Sequence, residues 1–321
     1  MSTAATLAAP TAVEAPSQAR YARCIEVSRR VRWEIERDVI RDRRFDPRHA
    51  FLPDAMTLVG RLGFLSPDDR RFVSQIQGRT YANMFALVER YVSVKILERA
   101  RAHGVAEPVA LEALVRFTDE EIKHQALFAR IEGLAAEVMP AGYAFVPDAE
   151  AVAAFVLGQS DWAILAQTCH IELVTQAHYR DAIGAADDVS PLFKDVFLFH
   201  WKEESQHAVL DELEWLDEDA RLTPPQREAA VDDFIALVAG VDALLRLQAR
   251  SDSDYFEAAR PQGGPLPEAV AARLHDTMLA AYRWQYLVSG ARQPKFAALL
   301  AGLVTPAQHR RIGAALAPLA S

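Results

Sequence analysis

The strongest constraint in this chain is a spacing. The tetrad Glu-x-x-His occurs twice, at Glu121-Ile122-Lys123-His124 and at Glu204-Ser205-Gln206-His207. A further glutamate precedes each tetrad, and the interval is the same both times: from Glu89 to Glu121 and from Glu172 to Glu204 (121 − 89 = 204 − 172). Residues three apart on a helix share a face, so each tetrad sets a carboxylate beside an imidazole. His200 lies one turn before Glu204, and at about 100° per residue His200, Glu204 and His207 fall within a sector of about 60°. A lone Glu-x-x-His is common by chance. Two of them, each led by a glutamate at one shared interval, are not.

Helix punctuation agrees with that reading. Ser66-Pro67-Asp68-Asp69 is a helix start, with a capping serine, a proline in the first turn and then acids. This helix is expected to run to His103 and stop at Gly104. Pro108 opens a second helix that ends near Met139. Pro147-Asp148 opens a third that extends to about Gly184, and Ser190-Pro191 opens a fourth that reaches about Leu216. Glu89 and Glu121 stand almost equally far from the first turn at Gly104, one before it and one after. With a rise of about 1.5 Å per residue, the two sit within about 3 Å of the same level in an antiparallel hairpin. Glu172 and Glu204 are equidistant from Asp188 (188 − 172 = 204 − 188), near which the second turn centres. Further helices are expected from Gln18 to about Asp42, whose docking the pattern leaves open, from Gln226 to about Ala249, from Pro267 to about Ser289, and in two short pieces ending near Leu319. Trp284, Tyr286 and Phe296 are expected to pack on the bundle, and nothing in this last third reads as chemistry.

The mid-helix glutamates carry the functional argument. Glu89 and Glu172 lie in largely apolar runs, Met84-Phe85-Ala86-Leu87-Val88-Glu89 and Cys169-His170-Ile171-Glu172-Leu173-Val174. A lone carboxylate facing a core costs several kcal/mol or takes up a proton. Four of them converging there call for cations, and two divalent ions supply +4 against −4. His124 and His207 add nitrogen ligands suited to iron, and His200 supplies a third. Glu120 and Glu203, each just before a tetrad, are placed to accept the second N–H of those histidines. His170 and His178 lie off the Glu172 stripe and read as structural or pathway residues.

Composition narrows the remaining classes. A 321-residue chain that is 51% hydrophobic can bury a large core. No linker divides residues 17–321, which read as one domain with its core bundle at about 66–216, after a disordered tail at 1–16. The net charge of −9 with no basic block argues against nucleic acid or an anionic membrane as a partner. Cys24 and Cys169 are too few for a disulfide framework. With no signal-peptide pattern and no apolar run near the ~18 residues of a span, the expected location is the cytoplasm.

The Glu, Glu-x-x-His, Glu, Glu-x-x-His order resembles the ferritin-like di-iron and di-manganese carboxylate proteins. The expected fold class is therefore all-α, a ferritin-like four-helix bundle with additional N- and C-terminal helices. The fuller series, ending in His-x-x-x-Glu-x-x-His, resembles the p-aminobenzoate N-oxygenase family of non-haem di-iron oxygenases. The resemblance covers about Ser66 to Leu216 and rests on Glu89, Glu121, His124, Glu172, His200, Glu204 and His207, with His200 as its specific element. It implies two iron ions (a mixed manganese–iron or manganese pair being the alternatives), O2 and a small organic substrate, an external electron donor, and oxidation of arylamines to hydroxylamino or nitro products. The runner-up is a ferritin-like protein that oxidises or stores iron. Catalytic groups beyond the ligands are not indicated, no organic-cofactor motif is present, and a homodimer remains open.

Overall fold

The structure, a computed structural model, describes residues 14–260 and 264–320. Residues 1–13 of the expected tail lie outside the described residues, while Glu14–Ser17 already belong to a helix. The helices are α1 (Glu14–Arg30), α2 (Asp54–Thr57), α3 (Pro67–His103), α4 (Pro108–Val138), α5 (Ala149–Leu157), α6 (Asp161–His178), α7 (Pro191–Arg221), α8 (Pro224–Ala259), α9 (Glu268–Arg283), α10 (Ser289–Ala291), α11 (Pro294–Leu303) and α12 (Pro306–Leu316). Wider π-type turns occupy Ile35–Ile40, Tyr179–Ile183 and Trp284–Val288. The fold is an all-α bundle, and no strand occurs among the described residues. None of the described helices is long and apolar enough to cross a membrane.

The bundle core pairs α3 with α4 and α6 with α7. Helix α3 starts as its sequence dictates: Ser66 Oγ accepts from the Asp69 N–H at 3.1 Å and Pro67 fills the first turn, where no N–H is needed. It ends at Gly104, whose φ of +55° favours a residue without a Cβ. Gly78 has a different purpose. A Cβ there would come within 2.4 Å of the Phe51 Cβ, so the bare backbone admits the loop before α2 against the bundle. Phe51 then stacks on Phe193 of α7, with ring centroids 5.4 Å apart.

The expected third helix, Pro147 to Gly184, is in fact two. Helix α5 stops at Leu157, and α6 begins at Asp161 after Gly158-Gln159-Ser160. The break was legible as a Gly-x-Ser-Asp stop and restart. It re-aims the chain so that Trp162 enters the core, where its Nε1 donates to Asp219 Oδ1 at 2.9 Å and its ring meets Trp215 edge-on. Helix α8 runs past its expected end near Ala249, as far as Ala259.

The additional helices cover the bundle on two sides. Helix α1 docks on α4 and α7, with Tyr21 Oη donating to the buried Glu214 Oε1 at 2.7 Å. Helices α8 to α12 cover α6 and part of α3. Thr80 Oγ1 and Tyr282 Oη both donate to buried Asp252, and Gln285 Nε2 donates to the Met56 carbonyl at 2.9 Å.

Candidate metal centre

One glutamine holds each hairpin in register at the level of its glutamates. Gln125 Nε2 on α4 donates across to the Glu89 carbonyl at 3.2 Å and to Ser93 Oγ at 3.0 Å. Gln176 Nε2 on α6 donates to its own helix at the Glu172 carbonyl, 3.1 Å, and across to the Glu204 carbonyl, 3.4 Å. Each glutamine stands one turn after a predicted ligand, Gln125 after Glu121 and Gln176 after Glu172, a local signal that sequence reasoning missed.

That register brings the predicted ligands together in the bundle interior. Glu89, Glu121, His124, Glu172, His200, Glu204 and His207 are each between 0 and 4% exposed. Six of them form two groups that share His124: Glu121, His124, Glu204 and His207 in one, Glu89, His124 and His200 in the other, with the ligand atoms of each group within 4.8 Å of one another. Bonds of about 2.0–2.2 Å to a common ion set neighbouring ligand atoms roughly 3–4 Å apart. Here His207 Nδ1 and Glu121 Oε1 are 2.9 Å apart, and His200 Nε2 and Glu89 Oε1 are 3.0 Å apart. Glu204 Oε1 lies 3.1, 3.2 and 3.4 Å from His200 Nε2, His124 Nδ1 and His207 Nδ1, so one carboxylate oxygen faces all three imidazoles. Glu172 stands outside both groups and hydrogen-bonds Glu204.

The donor atoms are short of partners, which is what a cation site requires. Both Glu121 oxygens, Glu89 Oε2, Glu172 Oε2, Glu204 Oε1, His124 Nδ1 and His207 Nδ1 are buried without a hydrogen bond. His207 Nδ1 and Glu121 Oε1 are close yet not in hydrogen-bonding geometry. Leaving so many buried polar atoms orphaned costs about 1–3 kcal/mol apiece, and bound cations would remove that cost. The residues present therefore fit metal ions.

The far nitrogens of two histidines are held by acids from the opposite helix. His124 Nε2 on α4 meets Glu203 Oε2 on α7 at 2.8 Å, and His207 Nε2 on α7 meets Glu120 Oε2 on α4 at 2.9 Å. The contacts are reciprocal, as expected for a centre with approximate twofold symmetry, and they leave the Nδ1 of both rings to the cluster. Lys123 Nζ donates to Glu203 Oε1 at 2.5 Å, and Gln206 Nε2 donates to Glu120. His200 differs. Its Nε2 faces the cluster, its Nδ1 has no partner, and its ring stands edge-on to Phe85 and Phe128.

Burial and like charge push the acids apart in proton affinity. Burial raises the Glu89 carboxyl well above its usual range, with Glu121 adding to the shift. Burial likewise raises Glu172, next to Glu204. Glu204 goes the other way: burial opposes ionisation, but His200, the Glu172 hydrogen bond and His207 outweigh it. Burial holds His200 down at about 3, so it is a neutral imidazole. Without cations the cluster must keep protons on some carboxyls, and those protons are what a metal displaces.

Other residues frame the centre. Trp33, after α1, stacks on the His124 ring with centroids 6.0 Å apart and planes 9° apart, and Lys123 Nζ sits 4.1 Å above the Trp33 ring. The N-terminal segment, whose docking the pattern left open, is thus the outer wall of the site. His170 and His178 are not in the cluster. His170 Nε2 meets the Leu287 carbonyl at 3.1 Å, while His178 lies between Tyr81 Oη and Ser289 Oγ at 2.8 and 2.9 Å. Both tie the bundle to the C-terminal helices. Beside the cluster, between α3, α6 and those helices, lies a cavity of about 260 Å³. Phe85 both lines it and packs against His200. The last third of the chain, which read as carrying no chemistry, supplies much of its wall. Comparison with protein-family models, with curated proteins and with solved structures found no match to this chain.

Proposed function

We propose that this protein is an O2-activating non-haem di-iron oxygenase acting on a small organic substrate. One observation carries the reading: two adjoining ligand groups joined by His124 and Glu204 have a largely apolar cavity beside them, with Phe85 both lining that cavity and packing against His200. Iron oxidation for storage needs ligands and a route for ions. It has no use for an apolar chamber beside the centre.

The chain's own residues have definable tasks. Glu89, Glu121, His124, His200, Glu204 and His207 would hold two metal ions, with Glu172 joining once its proton is released from Glu204. Iron held by these residues would supply the electrons that reduce O2, with an external donor restoring them. Glu203 and Glu120 orient His124 and His207 and keep their Nδ1 lone pairs on the cluster. Phe85, Phe128 and Phe117 close the centre against water, Phe117 stacking on His207 at 3.9 Å between centroids. Tyr81 Oη is tied to His178 on the cavity side.

The test is reconstitution. Protein loaded anaerobically with Fe(II) is expected to hold two ions per chain. On mixing with O2 it should show a transient optical species and consume about one O2 per centre. Uptake of many irons per chain with a growing ferric-oxide absorbance would replace the oxygenase with the iron-storage reading.

A further inference from the structure

The cavity beside the cluster is lined by α3, α5, α6, α8 and the helices after α9 and is partly open to solvent. Its lining includes Met84, Val88, Ile171, Val174, Val241 and Leu244. No Lys, Arg, Asp or Glu side chain contributes to its wall among the described residues. Two of its three histidines are interior: burial pushes His170 down to about 4 and His178 down to about 3, so both are neutral near pH 7. His170 has no freedom to leave. It lies against Gly290, where an added Cβ would meet the ring at 2.2 Å, and its Nε2 is bonded to the Leu287 carbonyl. His309 is exposed at the α12 end of the wall. Phe155, 43% exposed, also contributes and fills the space left by Gly240.

Within this apolar wall three polar atoms have no partner: Tyr286 Oη, Gln167 Oε1 and Gln285 Oε1. A tyrosine hydroxyl can donate and accept, and the glutamine oxygens accept. An apolar site with a few unpaired polar groups selects for molecules that satisfy them. At about 260 Å³ the chamber is slightly below the ~300–1,000 Å³ of sites that take drug-sized ligands.

We infer that the substrate of the proposed oxygenase is an uncharged, largely apolar molecule with one neutral hydrogen-bonding group, such as a primary amide, amine or hydroxyl, and that carboxylates are excluded. A carboxylate seated in the interior would meet no Lys or Arg side chain, and the two interior histidines are neutral. An unpaired buried charge is far more costly than an unpaired neutral group, so a matched acid should bind at least roughly 100-fold more weakly than its amide. The inference rests on the oxygenase reading for the word substrate, but the binding preference stands on the cavity alone.

The experiment is calorimetric titration of the full-length chain, metal-free and zinc-loaded, with two matched pairs at pH 8: octanamide against octanoate, and 4-aminobenzamide against 4-aminobenzoate. At least one amide should bind saturably with a negative heat-capacity change, and its acid should bind at least roughly 100-fold more weakly. Tyr286→Phe, which removes only an oxygen, should weaken that amide by about tenfold. Val241→Trp, which fills the chamber from α8, should abolish binding while metal content is unchanged. An acid that binds as well as its amide, no saturable binding by either amide, or an amide affinity indifferent to both substitutions would overturn the inference. Metal stoichiometry measured on the same samples separates the two readings. A chain that prefers the amide yet holds no metal sinks only the oxygenase; a chain that holds two ions yet prefers the acid sinks only this.

Discussion

Glu203→Gln and Glu120→Gln form a paired test of how the centre is built. Each variant keeps the size of the side chain and a hydrogen-bond acceptor and removes one negative charge behind a histidine. Glu203 faces His124 Nε2 at 2.8 Å and Lys123 Nζ at 2.5 Å; Glu120 faces His207 Nε2 at 2.9 Å. Loss of such an orienting carboxylate typically costs about 10–100-fold in metal affinity, which is about 1.4–2.7 kcal/mol. The structure separates the two variants within that range. His124 belongs to both ligand groups and His207 to one. Glu203→Gln should therefore weaken both ions, each toward the 100-fold end, whereas Glu120→Gln should weaken one ion and leave the other within about threefold of wild type. Glu203→Gln also leaves Lys123 without its carboxylate, so its melting point in chelator should fall slightly. The assay is anaerobic titration with Mn(II), the free ion counted by its paramagnetic resonance signal. If Glu203→Gln binds two ions at wild-type affinity, the outer carboxylates do not orient the ligands. If the two variants lose both ions equally, His124 is not the shared element.

Three further outcomes are expected. Saturating Fe(II) or Mn(II) should raise the melting temperature: two sites at about 100 times Kd stabilise by ~5.4 kcal/mol. With an unfolding entropy of about 2.1 cal/mol/K per residue over 321 residues, this is a shift of about 8 °C, and an unchanged midpoint in a calorimeter would count against a buried site. His200→Ala should keep near-normal metal content, since six of the seven predicted ligands remain, but should lose substrate oxygenation; product analysis by mass spectrometry against wild type decides, and undiminished turnover refutes the role. Tyr21→Phe should destabilise by about 2 kcal/mol, or roughly 3 °C, because buried Glu214 loses a charge-assisted hydrogen bond; a calorimetric midpoint equal to wild type would show that the bond contributes nothing.

The same network makes a statement about pH. Burial opposes ionisation of Glu214, but His103, Tyr21 and Arg99 hold its carboxyl below the usual 4.5. Its contribution is therefore full above about 4.5 and fades as pH falls through the lowered folded value. The Glu214 hydrogen bond raises His103 above 6.5 despite burial, so that contribution is full below about 6.5 and fades as pH rises through the raised value. His103→Gln should lower the melting temperature more near pH 5.5 than at pH 9. Calorimetry at the two pH values gives the answer, and an equal loss at both would show that the charge on His103 is not involved.

Much of the centre was legible in one dimension because its rules are local. Helical periodicity places Glu121 beside His124 and Glu204 beside His207, and the punctuation at Ser66, Gly104 and Ser190 sets both hairpins. Because the rise per residue of a helix is fixed, the levels of Glu89 and Glu172 follow by counting. Even Glu120 and Glu203 could be singled out, because they sit at fixed offsets from the ligands. Contacts between distant segments were not legible. The sequence cannot say that Glu203 serves His124 on the other helix rather than a neighbour on its own, because that depends on the rotation of α4 against α7. It could not place Trp33 on the His124 ring, since the face of the N-terminal helix is only weakly apolar and the partner lies three helices further along the chain. The break at Gly158 shows the same limit in reverse: the signal was present, but only the packing of Trp162 into the core decides that the chain turns there. The cavity is the clearest case. Its wall comes from helices spread from Tyr81 to Leu316, and each residue in it reads as ordinary core, because a void is a property of what several surfaces fail to fill together, and no single stretch of sequence encodes it.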